Sequence, residues 1–184
     1  MSLPYFSPYE ASPVTSPNMQ LKEDFVILKG VIVADKNNRD LYVASLLQIV
    51  KDPKLRQKKP SAVGNAIFIL GELKATDAAT ELTELLLFDV RTGKDLQWED
   101  VRKTWIDVMM IRCPSTMILN NLGKPVLPFL LDRVVKCPLK KYDGEIGGES
   151  WLVLASAKLV IIRMDQDNKI DKKTFLDAIE QKLK

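Results

Sequence analysis

The chain has 184 residues, 46% hydrophobic and 28% charged, which is the composition of an ordinary globular protein with room for one continuous core. Its 27 basic and 24 acidic residues leave a net charge of +3, too balanced for a nucleic-acid-binding footprint. Histidine is absent, which excludes Ser-His-Asp and Cys-His nucleophilic sites, histidine metal sites and histidine pH switches.

Residues 1–19 stand apart by composition. Pro4, Pro8, Pro13 and Pro17 recur among Ser, Thr and Tyr. Each proline removes a backbone donor and fixes φ, so an extended, polyproline-like arm is expected. Two readings stand for it: a tail or linker, or an arm whose Tyr5, Phe6 and Tyr9 dock on the body or on a partner. No charged-then-apolar signal peptide opens the chain, and a start of this kind suits an exported protein after signal removal. Export to the periplasm or the cell exterior is therefore the expected localisation, with the cytoplasm as the alternative.

Residues 20–184 carry a helical period and form the second unit. A first pair of helices is predicted over 21–35 and 38–51, separated by the turn formers Asp35, Lys36, Asn37 and Asn38. A second pair covers 60–73 and 77–89, with Pro60 and Ser61 at a helix start and Ala66, Ile67, Leu70 and Leu73 on one face. The third pair begins with 100–121, which holds Pro114 and is either one kinked helix or two. Its partner starts at Lys124 and Pro125 and ends before Pro138. The fourth pair covers 149–164 and 171–183. No apolar run reaches the roughly 18 residues of a membrane helix. The best candidate, 151–164, is interrupted by Lys158 and Arg163, so no membrane span is expected.

The second helices align on Leu46 and Leu47, Leu85 and Leu86, Leu130 and Leu131, and Ala178 and Ile179, which are 39, 45 and 48 positions apart. A period of about 40 residues marks a stacked helical repeat. Such folds offer surfaces rather than a fixed chemistry. The connections 52–59, 90–99 and 138–148 join one pair to the next and are expected to emerge along one edge, with a basic cluster only near 54–59. Trp98 stands out there, since a loop tryptophan either packs on the helices or marks a contact.

Ile69, Leu70, Gly71, Glu72 and Leu73, followed by Ala78, Leu82, Leu85 and Leu86, resemble the HEAT repeat. So do Ile118, Leu119, Asn120, Asn121, Leu122 and Gly123, followed by Val126, Leu127, Pro128, Phe129, Leu130 and Leu131. The resemblance covers about residues 21–184 and is strongest in the second and third pairs. It implies an all-α fold, an α-solenoid of about four antiparallel helix pairs wound as an armadillo-type right-handed superhelix. The outer pairs would be caps whose outer faces meet water. The resemblance further implies that the second helices line a concave groove. Their polar positions are Ser45, Gln48, Glu81, Glu84, Asp132, Arg133, Asp177 and Glu180, a set with five carboxylates and one arginine that suits a basic peptide.

Cys113 lies ten residues before Gly123 and Cys137 fourteen after it. In a hairpin turning at Gly123, ten helical residues rise about 15 Å and about twelve rise about 18 Å, which brings the thiols to nearly one height. A disulfide closing that loop would contribute about 3 kcal/mol in the chain-entropy model and would imply an oxidising compartment. Buried thiols in a cytosolic protein are the other reading. Asp165, Asp167, Asn168 and Asp171 imitate a calcium loop, yet the central glycine is missing and Thr174 stands where a bidentate Glu belongs. The stretch 142–149 is rich in glycine before a helix, but Asp143, Glu145 and Glu149 would repel phosphate.

The expected function is that of a non-enzymatic scaffold that binds a protein or peptide through the concave helices and the loop edge. It has no cofactor and no metal. One rival is a nucleic-acid-binding or DNA-repair protein of HEAT-like layout, against which Trp105 and Asp107, two positions apart, point to different helix faces. Another is a structural component of a cell-envelope or surface assembly. Neither partner identity nor oligomeric state is legible at this level.

Overall fold

The computed structural model describes residues 18–97, 112–137, 141–142, 145–146, 148–166 and 172–183. The expected arm therefore lies outside the described residues up to Pro17, as do Trp98, Trp105 and Asp107, and most of the calcium-like and glycine-rich stretches. Among the described residues the chain is 82% helical, in nine helices, and the all-α expectation holds at that level.

In chain order the elements are α1 (Asn18–Ala34), α2 (Arg39–Lys51), α3 (Pro53–Lys58), α4 (Pro60–Glu72), α5 (Ala79–Glu84), the hairpin strands β1 (Phe88–Asp89) and β2 (Lys94–Asp95), α6 (Pro114–Leu122), α7 (Leu127–Lys136), the hairpin strands β3 (Lys141–Tyr142) and β4 (Glu145–Ile146), α8 (Gly148–Gln166) and α9 (Lys172–Leu183). Each of the first three pairs turns in the same way. A 3-10 turn at Lys36–Asn38, Thr76–Ala78 or Lys124–Val126 leads directly into α2, α5 or α7. The local causes differ. Asp35 accepts a hydrogen bond from the Asn38 N–H at 3.3 Å, which ties the first turn. Gly123, at φ +76°, takes a conformation closed to most other residues and ends α6.

Proline sets several helix starts, because its missing N–H is one the first turn would leave unbonded anyway. Pro53, Pro60 and Pro114 all stand in first turns. Pro114 thus opens α6 and does not bend a longer helix: Cys113 before it has non-helical backbone, φ −116° and ψ 80°.

One helix bound needs correction, and the connections carry structure of their own. The connection 52–59 contains a helix, α3, because the Asp52 carboxylate accepts from the N–H groups of Lys54 at 2.7 Å and Leu55 at 3.2 Å ahead of Pro53. The second helix of pair two ends at Glu84, not at 89. Leu85, Leu86, Leu87 and Phe88 are all buried, and four consecutive apolar side chains cannot share one helix face, so the chain turns and enters β1. The connections after α5 and α7 carry short antiparallel hairpins, with Phe88 opposite Asp95 and Lys141 opposite Ile146.

Packing follows two rows. Among first helices, α1 touches α4, α4 touches α6 and α6 touches α8. Among second helices, α2 touches α5, α5 touches α7 and α7 touches α9. The rows meet through α2 on α4, α5 on α6, and α7 and α9 on α8. One apolar core runs through them from Phe25 to Ile179. The closest approach explains Gly71: a Cβ there would lie 2.5 Å from Ile118 Cδ1, so α4 and α6 meet only because the side chain is missing. The first pair meets water with an apolar stretch of α1. Phe25 and Ile32 of α1 face the core, while Val26, Ile27 and Val31 stand exposed on its other side.

Candidate functional site

The second-helix row carries most of the partner-binding candidates, and helical spacing places them on exposed faces. On α2 the exposed residues Leu41, Ser45 and Gln48 fall at i, i+4 and i+7. On α5 Glu84 is exposed and Glu81 half-buried. On α7 Phe129, Asp132 and Lys136 are exposed, with Arg133 half-buried among them. Asp177 and Glu180 are exposed on α9.

The charges on this face are partly neutralised by neighbouring helices. Lys51 of α2 pairs with Glu81 of α5 at 2.6 Å. Arg133 of α7 reaches Glu84 of α5 at 3.8 Å. Lys136 pairs with Asp132 one turn earlier at 2.6 Å, and the carboxylate raises the lysine's pKa above its ordinary value. The face is therefore less acidic than a count of its second-helix residues suggests. Glu81 and Glu84 link adjacent helices, whereas Gln48, Phe129, Asp177 and Glu180 extend outward without a described ion pair. Phe129, absent from the sequence-level candidates, adds an aromatic ring to the face. Its position three before Asp132 and four before Arg133 was the available signal.

Cys113 and Cys137 are both buried thiols, and no disulfide joins them. Matched height on two helices did not bring the side chains together, because Cys113 is turned toward the preceding pair. Its Sγ donates to the Leu87 carbonyl at 3.4 Å.

Among the described residues, a dense polar cluster lies in the connection after α5 and was missed at the sequence level. Asp89 is fully buried. Its carboxylate accepts from the Arg91 N–H at 2.9 Å, the Thr92 hydroxyl at 3.1 Å, and both Nε (3.0 Å) and Nη2 of Arg112. The Val90 N–H donates to the Arg112 carbonyl at 3.0 Å, so side chain and backbone tie the hairpin to the start of α6 together. Gly93, at φ +72°, lets the hairpin lie against the Arg56 carbonyl of α3, and Arg56 in turn donates to the carbonyls of Val50 and Lys51 at the end of α2. This cluster is a brace: every donor around Asp89 comes from the protein itself, and its carboxylate is closed to solvent. The Asp-x-x-Thr-Gly spacing was a legible turn signal, but Arg112 lies 23 positions away.

At the first turn Asn38 and then Tyr42 hydrogen-bond the Asp35 carboxyl and hold it below its ordinary 3.8, while Asp35 raises the Tyr42 phenol above its ordinary 10.0. An apolar crease among α7, α8 and α9, lined by Leu127, Leu131, Ile161 and Phe175, has no room for a water molecule. Among the described residues no group of three Cys, Asp or Glu side chains is placed to hold a metal ion, and no helix is long and apolar enough to cross a membrane. The chain matches no protein-family model, no curated protein and no solved structure.

Proposed function

We propose that this chain is a HEAT-like α-solenoid that works as a non-enzymatic scaffold, binding a protein or peptide along its second helices. The observation that carries the reading is the pair of helix rows in which each helix touches the next of its kind. The repeated 3-10 entry into α2, α5 and α7 supports it as well. In such a stack the second-helix face is a long surface built on rigid elements. It combines apolar contacts, Leu41 and Phe129, with the outward carboxylates Asp177 and Glu180. The chemistry that fits is an extended segment carrying both apolar and basic side chains.

The test is a titration of fluorescent peptides with the intact chain, read by anisotropy: one peptide alternating Leu and Lys, one alternating Leu and Glu, and a DNA duplex. The Leu-Lys peptide is expected to bind saturably, and Phe129→Ser with Asp177→Lys should weaken it about tenfold, the scale of one lost hot-spot contact. Ile162→Ser on α8, in the first-helix row, should leave it unchanged. Equal binding of all three probes, or indifference to the second-row substitutions, overturns the reading.

A further inference from the structure

Among the described residues, the exposed side of α1 is an apolar feature that the proposed function leaves unused. Val26 is 60%, Ile27 64% and Val31 57% exposed. With Gly30 and Ala34, also exposed, they occupy positions i, i+1, i+4, i+5 and i+8, one stripe about 12 Å long along the helix. Gly30 makes a notch in the middle of it: a Cβ built there meets nothing within 4 Å. The only described charge on this stretch of α1, Lys29, is turned away to Glu72 of α4 at 3.5 Å. An end helix of a helical stack ordinarily presents polar side chains to water, and residues 26–34 of α1 present apolar ones.

We infer that the stripe on α1 is the seat of the chain's own residues 1–17, with Tyr5, Phe6 and Tyr9 packed on Val26, Ile27 and Val31 around the Gly30 notch. Three observations select this occupant. The segment joins α1 directly at Asn18, and it carries three aromatic rings with a single charged side chain, Glu10. It is also long enough to turn back. The nine residue steps from Asn18 to Tyr9 span up to about 30 Å extended, whereas Val31 lies about 20 Å along the helix from Asn18. Finally, the stripe is small. Five residues on one helix fall well short of the roughly 20–30 residues a side that hold a stable complex of separate chains. A tethered segment needs far less contact, because the short linker holds it at an effective concentration on the order of millimolar. Proline suits this seat, since an extended proline-rich segment loses little entropy on docking.

The experiment uses the full chain. A nitroxide is attached through Ser7→Cys, the two native cysteines being buried, and the methyl signals of Val26, Ile27 and Val31 are followed by NMR. Those signals are expected to be lost, and to stay lost when the labelled chain is diluted into excess unlabelled protein. Full-intensity signals overturn the proposal. So does a loss that appears only when nitroxide-bearing chains are mixed with separate isotope-labelled chains, because a second copy would then be the occupant. In parallel, Tyr5→Ser, Phe6→Ser and Tyr9→Ser together should speed amide exchange over residues 25–34 about tenfold. Protection in α4 should stay the same, which shows that the body remains folded. Unchanged exchange in α1 also overturns the proposal.

Discussion

Helices α1 and α4 are both first members of a pair, both rich in aliphatic side chains, and they touch each other. Their surroundings differ completely. In α4 all residues from Ala62 to Gly71 except Phe68 are buried, because α2, α3 and α6 all pack on it. Among the described side chains of α1, Phe25 and Ile32 are buried, while Val26, Ile27 and Val31 are exposed. The contrast teaches that apolar content sets what a helix would gain from a neighbour, while the neighbours present decide what it does gain.

Substitutions that sample both helices test this directly. The largest difference is expected between Leu70→Ala and Val31→Ala. Leu70 is fully buried in the central core, so truncation should cost about 3 kcal/mol in urea unfolding. Val31→Ala should cost less than about 1 kcal/mol. Similar values for the two would mean that α1 is as enclosed as α4.

Next in size is a contrast between ion pairs. Arg112→Ala leaves the buried Asp89 carboxylate without its cation and should cost about 3 kcal/mol. Lys29→Ala removes an exposed pair at 3.5 Å between α1 and α4 and should stay within about 0.5 kcal/mol. A large effect at Lys29 would show that the first pair is braced by charge, as the interior is at Asp89.

The glycines give a smaller effect with opposite signs. Gly71→Ala forces Ile118 to move and should destabilise by about 1 kcal/mol net, even though alanine favours the helix. Gly30→Ala meets no atom within 4 Å and should stabilise by about 0.5 kcal/mol in the chain carrying Tyr5→Ser, Phe6→Ser and Tyr9→Ser, and by less in the native chain, where the methyl narrows the notch. Thermal unfolding of the two variants checks the sign.

The smallest expected effect is the pH response of the first turn. The Asp35 pKa is lowered in the folded chain, so its contribution is present above 3.8 and disappears as pH falls through the folded value. The Tyr42 pKa is raised, so its contribution is present below 10.0 and disappears as pH rises through the folded value. Asp35→Asn should flatten both limbs of the pH profile of the urea midpoint. An unchanged profile would place the pH dependence elsewhere.

Much of the second-helix face was legible in the sequence, because a period of 3.6 residues assigns Gln48, Glu84, Asp132, Asp177 and Glu180 to exposed positions once the helices are recognised. Their electrostatic state was not. Glu84 meets Arg133 from a helix 49 positions later, and Glu81 meets Lys51 from one 30 positions earlier. Of the two cysteine readings, the structure holds the buried free thiols, for a related reason. Rise along a helix predicts height, but not the azimuth at which Cys113 leaves its backbone, and the Leu87 carbonyl received it. The end of α5 at Glu84 was hidden because Leu85, Leu86, Leu87 and Phe88 continue an apolar run that two secondary structures can satisfy.

By itself the sequence determined what depends on residues within a turn or two of one another: the helices, their proline and aspartate starts, and the stops at Asp35 and Gly123. Only the tertiary structure decided which apolar sides found a cover, why Gly71 must lack a side chain, and which charges were left to face outward. Those outcomes depend on atoms brought together from distant parts of the chain, and burial and ion pairing respond to that proximity rather than to sequence spacing.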